Sequence, residues 1–449
     1  MKIAYIGGGS RQWARNLMMD LALCPDITGV VDLYDIDYQA AQLNETLGNF
    51  LQTRPGVVSK WNYRVVKSIE EALTNADFVV VSIQPAPLEV MRDEIEIAEK
   101  YGLFFPVGDT TGAPGLVRGL RSALIYRDFA HQIADICPDA WVINYTNPMT
   151  ICTRTFTRVE PQLKVFGCCH EVFGTQHILA HLVSEKLGIP LPDRSKIHVN
   201  VTGINHFTFV DRAEYEGQDL LVMLKEHIRE KDVLRPYTRE EVEAKNNWFQ
   251  DNLQVKFTLF DRLGILPAAG DRHLVEFLPG FTRSPEELFR WGIIRTPVSW
   301  RIDRYKQALQ MTRDLIDGKQ EAVIRHSGEE SVQQILAILG RGDLVTNVNL
   351  ENKGQIPNLP LNAVVETNAV FSRDQVLPVT AGKLPAGILG LVERHVRNQE
   401  IIIDAALTGD KDLAFQAVYA DPASTLPVDQ SWEMFNEMIS ASRHFLPGW

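Results

Sequence analysis

Several features are scarce in this 449-residue sequence, and each scarcity closes off a class of protein. Cysteine is one: Cys24, Cys137, Cys152, Cys168 and Cys169 are odd in number and widely spread, which does not make a disulfide framework, so reduced thiols are expected. Long apolar runs are another. No stretch reaches the ~20 apolar residues of a membrane span, and Met1–Gly7 runs into a strand-like segment with no cleavable apolar region, so a cytoplasmic setting with no membrane partner is expected. Positive charge is also short. Lys and Arg total 45 against 57 Asp and Glu, giving a net charge of −12 and a pI near 5.5, which argues against a broad phosphate-binding surface and hence against nucleic acid as a partner. Local arginines can still oppose the global sign, so an anionic small substrate stays open. Tandem repeats, low-complexity tracts and runs of like charge are absent, and the apolar and charged fractions are those of an ordinary globular chain. At this length two or three domains are expected.

What is present begins with Lys2–Ile6, an apolar run that breaks into Gly7-Gly8-Gly9-Ser10 and is followed by a helical pattern through Trp13, Leu17, Met18 and Leu21. A second strand-like run, Gly29–Tyr34, ends at Asp35. Glycines let a backbone approach a pyrophosphate at a helix N-terminus, and an acid closing the second strand can bond ribose hydroxyls, so the pattern reads as a dinucleotide fold. Gln12 replaces the third glycine of the usual fingerprint; the plainer alternative is a strand turn before a helix capped by Ser10. Further βα units follow: a strand near Asp77–Ile83, helices from about Leu88 to Tyr101 and from about Gly115 to Ile136, and a strand from Trp141 to Tyr145. This alternation calls for a parallel sheet covered on both faces, with ligands beyond the C-terminal strand ends. Ser82–Pro85 with Gln84, Asn147 and Cys169 all fall at such ends. The expected architecture is α/β: a Rossmann-like doubly wound parallel sheet over residues 1–196, followed by a mixed α+β domain over 197–449.

Two stretches concentrate polar chemistry where apolar runs stop. Gly167-Cys168-Cys169-His170-Glu171 packs two thiols, an imidazole and a carboxylate together, and Gly203-Ile204-Asn205-His206 ends a β-branched run at a group able to ligate. A Cys169 thiolate and a His206 imidazole can hold a divalent ion with open positions for substrate oxygens and water; the alternative is that both are packing residues. Residues 107–121 form a glycine-rich stretch bearing Asp109, Arg118 and Arg121, read either as a lid or as a turn before a helix with solvated arginines. Ala268–Phe277 gathers Asp271, Arg272, His273 and Glu276 among apolar neighbours, where charge is costly unless paired or used. In the second half, Lys225–Lys245 is a charged segment, Ser299–Asp317 a helix, 345–350 and 356–368 read as short strands, and Gly390–Tyr419 as amphipathic helices.

Ile6–Ser10, Thr146-Asn147-Pro148, Gly167–His170, Gly203–His206, Asn347-Val-Asn349 with Asn358-Leu-Pro360, and Ala406–Gly409 resemble the NAD- and manganese-dependent glycosidases of glycoside hydrolase family 4 over nearly the whole chain. The runs Asn144–Met149, Gly167–Gln176 and Ala268–Leu274 are most similar to its α-galacturonidase branch. The resemblance implies NAD and Mn²⁺ as cofactors, with Gly7, Gly8, Gly9, Ser10, Asp35 and Gln84 on the dinucleotide side. It implies cleavage by oxidation at C3, deprotonation at C2, elimination at C1, water addition and re-reduction, outside the usual two-carboxylate scheme. By position it makes Cys169 and His206 metal ligands, His170 the general acid, Asp271 the C2 base and Asn147 a contact to sugar hydroxyls. Arg118, Arg121 and Arg272 become candidates for a uronate carboxylate, which favours a bidentate guanidinium. A homo-oligomer is implied too, although the apolar C-terminal helices suit an intrachain core equally well. The alternatives are an α-galactosidase or α-glucosidase of the same family, an NAD-dependent hydroxy-acid dehydrogenase using His170 or His206 as acid–base, or a non-catalytic sensor.

Overall fold

The fold is known from a computed structural model that describes residues 1–231 and 233–449; Asp232, inside the charged segment 225–245, lies outside the described residues. The first six strands are β1 (Lys2–Ile6), β2 (Gly29–Tyr34), β3 (Trp61–Val65), β4 (Phe78–Val81), β5 (Trp141–Asn144) and β6 (Lys164–Gly167). They pair in parallel in the order β6-β5-β4-β1-β2-β3, the doubly wound order whose ligand crevice opens where the winding reverses, between β1 and β4. The period-2 alternation of a strand explains why these short runs are apolar throughout. Ile3, Tyr5, Phe78 and Val80 enter one core, while Ala4, Ile6, Val79 and Val81 enter the core on the opposite face.

The second half adds β7 (His198–Ile204), β8 (Phe207–Tyr215), β9 (Gln218–Asp219), β10 (Leu266–Pro267), β11 (Leu344–Glu351), β12 (Val364–Ser372) and β13 (Gln375–Pro378). β7, β8, β9 and β10 make a small antiparallel sheet. The other three extend the first sheet: β11 lies antiparallel to β6 at Asn349 and Gly167, with β12 and β13 outside it. Residues on both sides of position 196 therefore share one sheet. Asn368 of β12 also donates to the Val199 carbonyl of β7 at 2.6 Å, tying the small sheet to the large one.

Two sequence expectations are corrected here. The glycine-rich stretch is not a lid: from Gly112 onward it is the start of a helix running to Ile136, and Arg118 and Arg121 are buried. Its glycines serve close packing, since a Cβ on Gly115 would come 2.6 Å from the Thr110 backbone and one on Gly119 2.6 Å from Ile151. Residues 356–361 are a loop, not a strand, anchored by buried Ile356 and Leu359; the Asn352 amide donates to the carbonyls of Ile356, Leu359 and Pro360 and replaces a sheet ladder. The C-terminal helices Ala386–Thr408 and Lys411–Tyr419 bury Ile402, Ala406 and Ala417 in one cluster with Leu116 and Leu120, so their apolar faces serve an intrachain core. Among the described residues no helix is long and apolar enough to cross a membrane.

Candidate active site

The C-terminal ends of β1, β4, β5 and β6 lie side by side. After β1, Gly7 takes φ +92°, where a Cβ would run into the Ser82 carbonyl, so only glycine allows the chain to turn beside β4. Asp35, at the end of β2, accepts from the Gly9 amide at 2.8 Å and the Asp37 amide at 2.9 Å. The Asn44 amide donates to the carbonyls of Gly8 and Ser10 at 2.7 and 2.8 Å, a brace the sequence did not announce. Gln84, after β4, accepts from Arg118 at 3.2 Å, and the Arg118 Nε donates to the Asn147 carbonyl at 3.0 Å, so this arginine links two strand ends.

Beside this turn lies a cavity of about 290 Å³ whose wall includes Asn147, Cys169, His170, His206, Arg272 and His273. Each comes from a different constraint. Asn147 and Cys169 follow β5 and β6. His206 occupies the two-residue turn between β7 and β8, where Ile204 faces Phe207, and takes φ +60°. Arg272 and His273 lie on the short helix Asp271–Leu274. Asp109 also lines the wall; its loop is propped from below by buried Glu276, whose carboxylate accepts from the Val107 and Gly108 amides at 2.6 and 2.9 Å.

One set of donors is arranged for a cation. Single ligand atoms of Asp109, His206 and His273 lie within 4.8 Å of one another, and the two imidazole centroids are 3.9 Å apart. Burial, with His273 beside it, holds the His206 imidazole down at about 3, which leaves a lone pair free for coordination. Burial would raise Asp109, but His273, Arg301, Arg118 and His206 outweigh it and hold the carboxyl at about 2. Glu171 is likewise held at about 2 against its burial, by His273, His206 and the Gly270 amide. Cys169 lines the same cavity outside that trio; burial and then Glu366 push its thiol well above the ordinary range. Asn347 donates to both the Cys169 carbonyl (3.1 Å) and Glu366 (2.7 Å), fixing the backbone that presents the thiol. His170 stands at the rim with its Nδ1 3.3 Å from Glu329, which raises its pKa, and its ring against Trp13.

Matches to known families agree with this layout. A model of family 4 glycosyl hydrolases covers residues 2–185, and one of the family's C-terminal domain covers 201–424. The chain belongs to glycosyl hydrolase family 4. Within the family it is 47% identical over 454 residues to an alpha-galacturonidase of Thermoanaerobacterium saccharolyticum, covering all of this chain and 97% of that one. The crystal structure of lplD from Bacillus subtilis superposes with a TM-score of 0.91 at 45% identity, over 98% and 99% of the two chains. A 6-phospho-beta glucosidase of Thermotoga maritima, solved with manganese, NAD⁺ and glucose-6-phosphate, shares the fold at 20% identity and a TM-score of 0.78 over 99% of each chain.

The remaining sequence candidates divide. Asn147, Cys169, His170, His206 and Arg272 are brought to this family 4 cavity. Arg121 is not: it is fully buried and bonds Glu94 through both terminal nitrogens, one at 2.9 Å. Asp271 also points away from the wall. Both its oxygens accept backbone amides, from Val255 at 3.0 Å and Lys256 at 2.8 Å, so it caps the helix Gln254–Leu263, whose own preceding residue is Leu253. Burial and then Asp251 push its pKa up. The carboxylates that do line the cavity are Asp109, Glu171 and Asp251. Sequence reading missed Asp251 and Arg301 altogether; Arg301 sits in the first turn of the helix Val298–Ile316, where it reads as an ordinary exposed helical charge.

Proposed function

We propose that this family 4 glycosidase hydrolyses α-galacturonides by the redox-assisted elimination and addition route, with NAD and a divalent ion, Mn²⁺, as cofactors. The observation that carries the substrate class is a pair of arginines, Arg272 and Arg301, in the wall of the cavity that also holds Asp109, His206 and His273. A neutral hexose gives one buried and one half-buried guanidinium no carboxylate to pair with; a uronate does. Full-length similarity to an alpha-galacturonidase supports the same reading.

The residues present fit both cofactors. At the Gly7 turn any Cβ would strike the Ser82 carbonyl, so the strand end beside Asp35 is closed by backbone alone, which permits the close approach a pyrophosphate needs. The imidazole and carboxylate donors of the cavity suit a divalent ion, with His206 the ligand common to that trio and to the Cys169–His206 pair. When bound, NAD supplies a hydride acceptor and the ion a Lewis acid that acidifies the hydrogen next to an oxidised carbon. The chain supplies the rest. Asn147, whose Oδ1 is buried without a partner among the described residues, accepts a sugar hydroxyl. His170 at the rim gives a proton to the leaving oxygen, and a carboxylate of the wall takes the C2 proton.

The unpaired state of all five thiols supports a reducing, cytoplasmic setting, whereas a homo-oligomer rests on the family resemblance and is read by sedimentation. The test of function compares p-nitrophenyl α-galacturonide with the neutral α-galactoside in the presence of NAD⁺, Mn²⁺ and thiol. The uronide should be preferred, with NAD⁺ needed only in catalytic amount; preference for the galactoside overturns the substrate, and NADH accumulating in step with product overturns the hydrolase. His206→Ala should weaken Mn²⁺ binding at least ~10-fold in a paramagnetic titration, because it removes a ligand from either donor set.

A further inference from the structure

Arg301 is half-buried and in an unusual state for a cation. Its Nε and Nη2 are enclosed and without a partner, and it enters no ion pair among the described residues. Arg272, 8% exposed on the facing helix, gives one terminal nitrogen to the Thr296 hydroxyl, lies 4.6 Å from the Phe249 ring centroid, and keeps its Nε buried and unpartnered. Leaving such donors dry is costly, so a structure that keeps three of them on one wall keeps them for a ligand. The other nearby arginines are each tied within the chain, Arg118 to Asn147 and Gln84 with its Nη1 left over, and Arg121 to the Glu94 carboxylate with its Nε left over. Asp109 attracts Arg301 across the cavity without pairing with it, and its own carboxylate is engaged by the Thr110 hydroxyl at 2.8 Å.

We propose that Arg301 sets the preference for a uronide, its Nε and Nη2 edge taking the substrate carboxylate side-on while the Arg272 Nε holds the same group from the facing helix. The edge formed by Nε and one terminal nitrogen presents two parallel N–H bonds, which match the two oxygens of a carboxylate and nothing on a hydroxymethyl group. Thr296 and Phe249 fix the Arg272 plane, so Arg272 is the rigid half of the clamp and Arg301, on another element, is the half that closes it. The inference rests on the galacturonidase reading above, and its test keeps the two apart.

Initial rates are measured for p-nitrophenyl α-galacturonide, its methyl ester and the α-galactoside with wild type, Arg301→Gln and Arg301→Lys, all with NAD⁺ and Mn²⁺. For Arg301→Gln the kcat/KM on the uronide should fall about 30-fold or more, mainly through KM, while the ester and galactoside change by less than about threefold. Arg301→Lys, which keeps charge but loses the fork, should fall between. Competitive inhibition by free galacturonate gives a second readout that needs no turnover of neutral analogues, and it should weaken in parallel. NAD⁺ titration checks that each variant is folded. Equal losses on uronide and neutral substrates, or unchanged galacturonate inhibition, would overturn the clamp while leaving the substrate class standing. A wild type that prefers the galactoside overturns both.

Discussion

Arg121 and Arg301 are the same residue type, one fully buried and one half-buried, and they have opposite fates. Arg121 lies on the long helix Gly112–Ile136 with no exposed surface and both forks on Glu94, itself 1% exposed, and Ser442 donates to the same carboxylate at 2.6 Å. Arg301 lies in the first turn of Val298–Ile316 with two enclosed nitrogens and no acceptor. A guanidinium whose two terminal nitrogens meet a buried carboxylate within the chain holds helices together, even with its Nε unpartnered. One whose donors are left open at a cavity is poised for a ligand. The comparison predicts opposite responses to the same kind of substitution.

The largest effect falls on the satisfied partner. Arg121→Met should destabilise the protein by roughly 3–5 kcal/mol, because Glu94 is left charged and alone in the interior. Urea unfolding followed by circular dichroism reads it directly. Adding Glu94→Leu removes the stranded charge and should recover most of the loss; a double variant as weak as the single one means the cost lies in packing, and a loss below about 1 kcal/mol breaks the comparison.

Asp271 extends the rule to an anion and gives an intermediate effect. Its oxygens satisfy the amides of Val255 and Lys256, two of the four donors that open a helix, where Leu253 has no side-chain acceptor to offer. Asp271→Asn should cost about 1–2 kcal/mol, the scale of a lost N-terminal cap. Exchange of the sugar C2 hydrogen with deuterated solvent should fall by less than about tenfold. Abolished exchange with an unchanged melting temperature would instead return Asp271 to the role of base, against its orientation.

The dinucleotide end of the molecule was legible because its parts are local. One glycine turn, one acid at the next strand end and an alternation of apolar residues are fixed by backbone geometry within about thirty-five positions, and the strand-end rule then located Asn147 and Cys169. The other end is assembled from loops 107–111, the β7–β8 turn, the helix Asp271–Leu274 and the helix Val298–Ile316. Nothing in spacing brings Asp109 to His273, and whether an arginine has a partner is a fact of tertiary packing. Glycine misled for the same reason: at Gly115 and Gly119 it serves close approach of a helix to its neighbours, which composition alone does not distinguish from a flexible loop. Asn352 hid a loop by the same means, supplying donors that a sheet would otherwise provide.

The smallest stability effect is the sharpest test of the comparison. Arg301 encloses two nitrogens without a hydrogen bond or ion pair among the described residues and gains only the attraction of Asp109, so Arg301→Met, which keeps the length of the side chain and drops the charge, should leave the unfolding free energy within about 1 kcal/mol of wild type or raise it. Asp109 loses an attractive neighbour in that variant but keeps His273, Arg118 and His206, and its place in the fold is held by Glu276 under its loop. The distinction then appears on adding ligand. Galacturonate should raise the melting temperature of wild type and of Arg121→Met alike, since each keeps the clamp, and should do little for Arg301→Met. A large loss of stability in Arg301→Met without ligand would place its guanidinium with that of Arg121, as a part of the architecture.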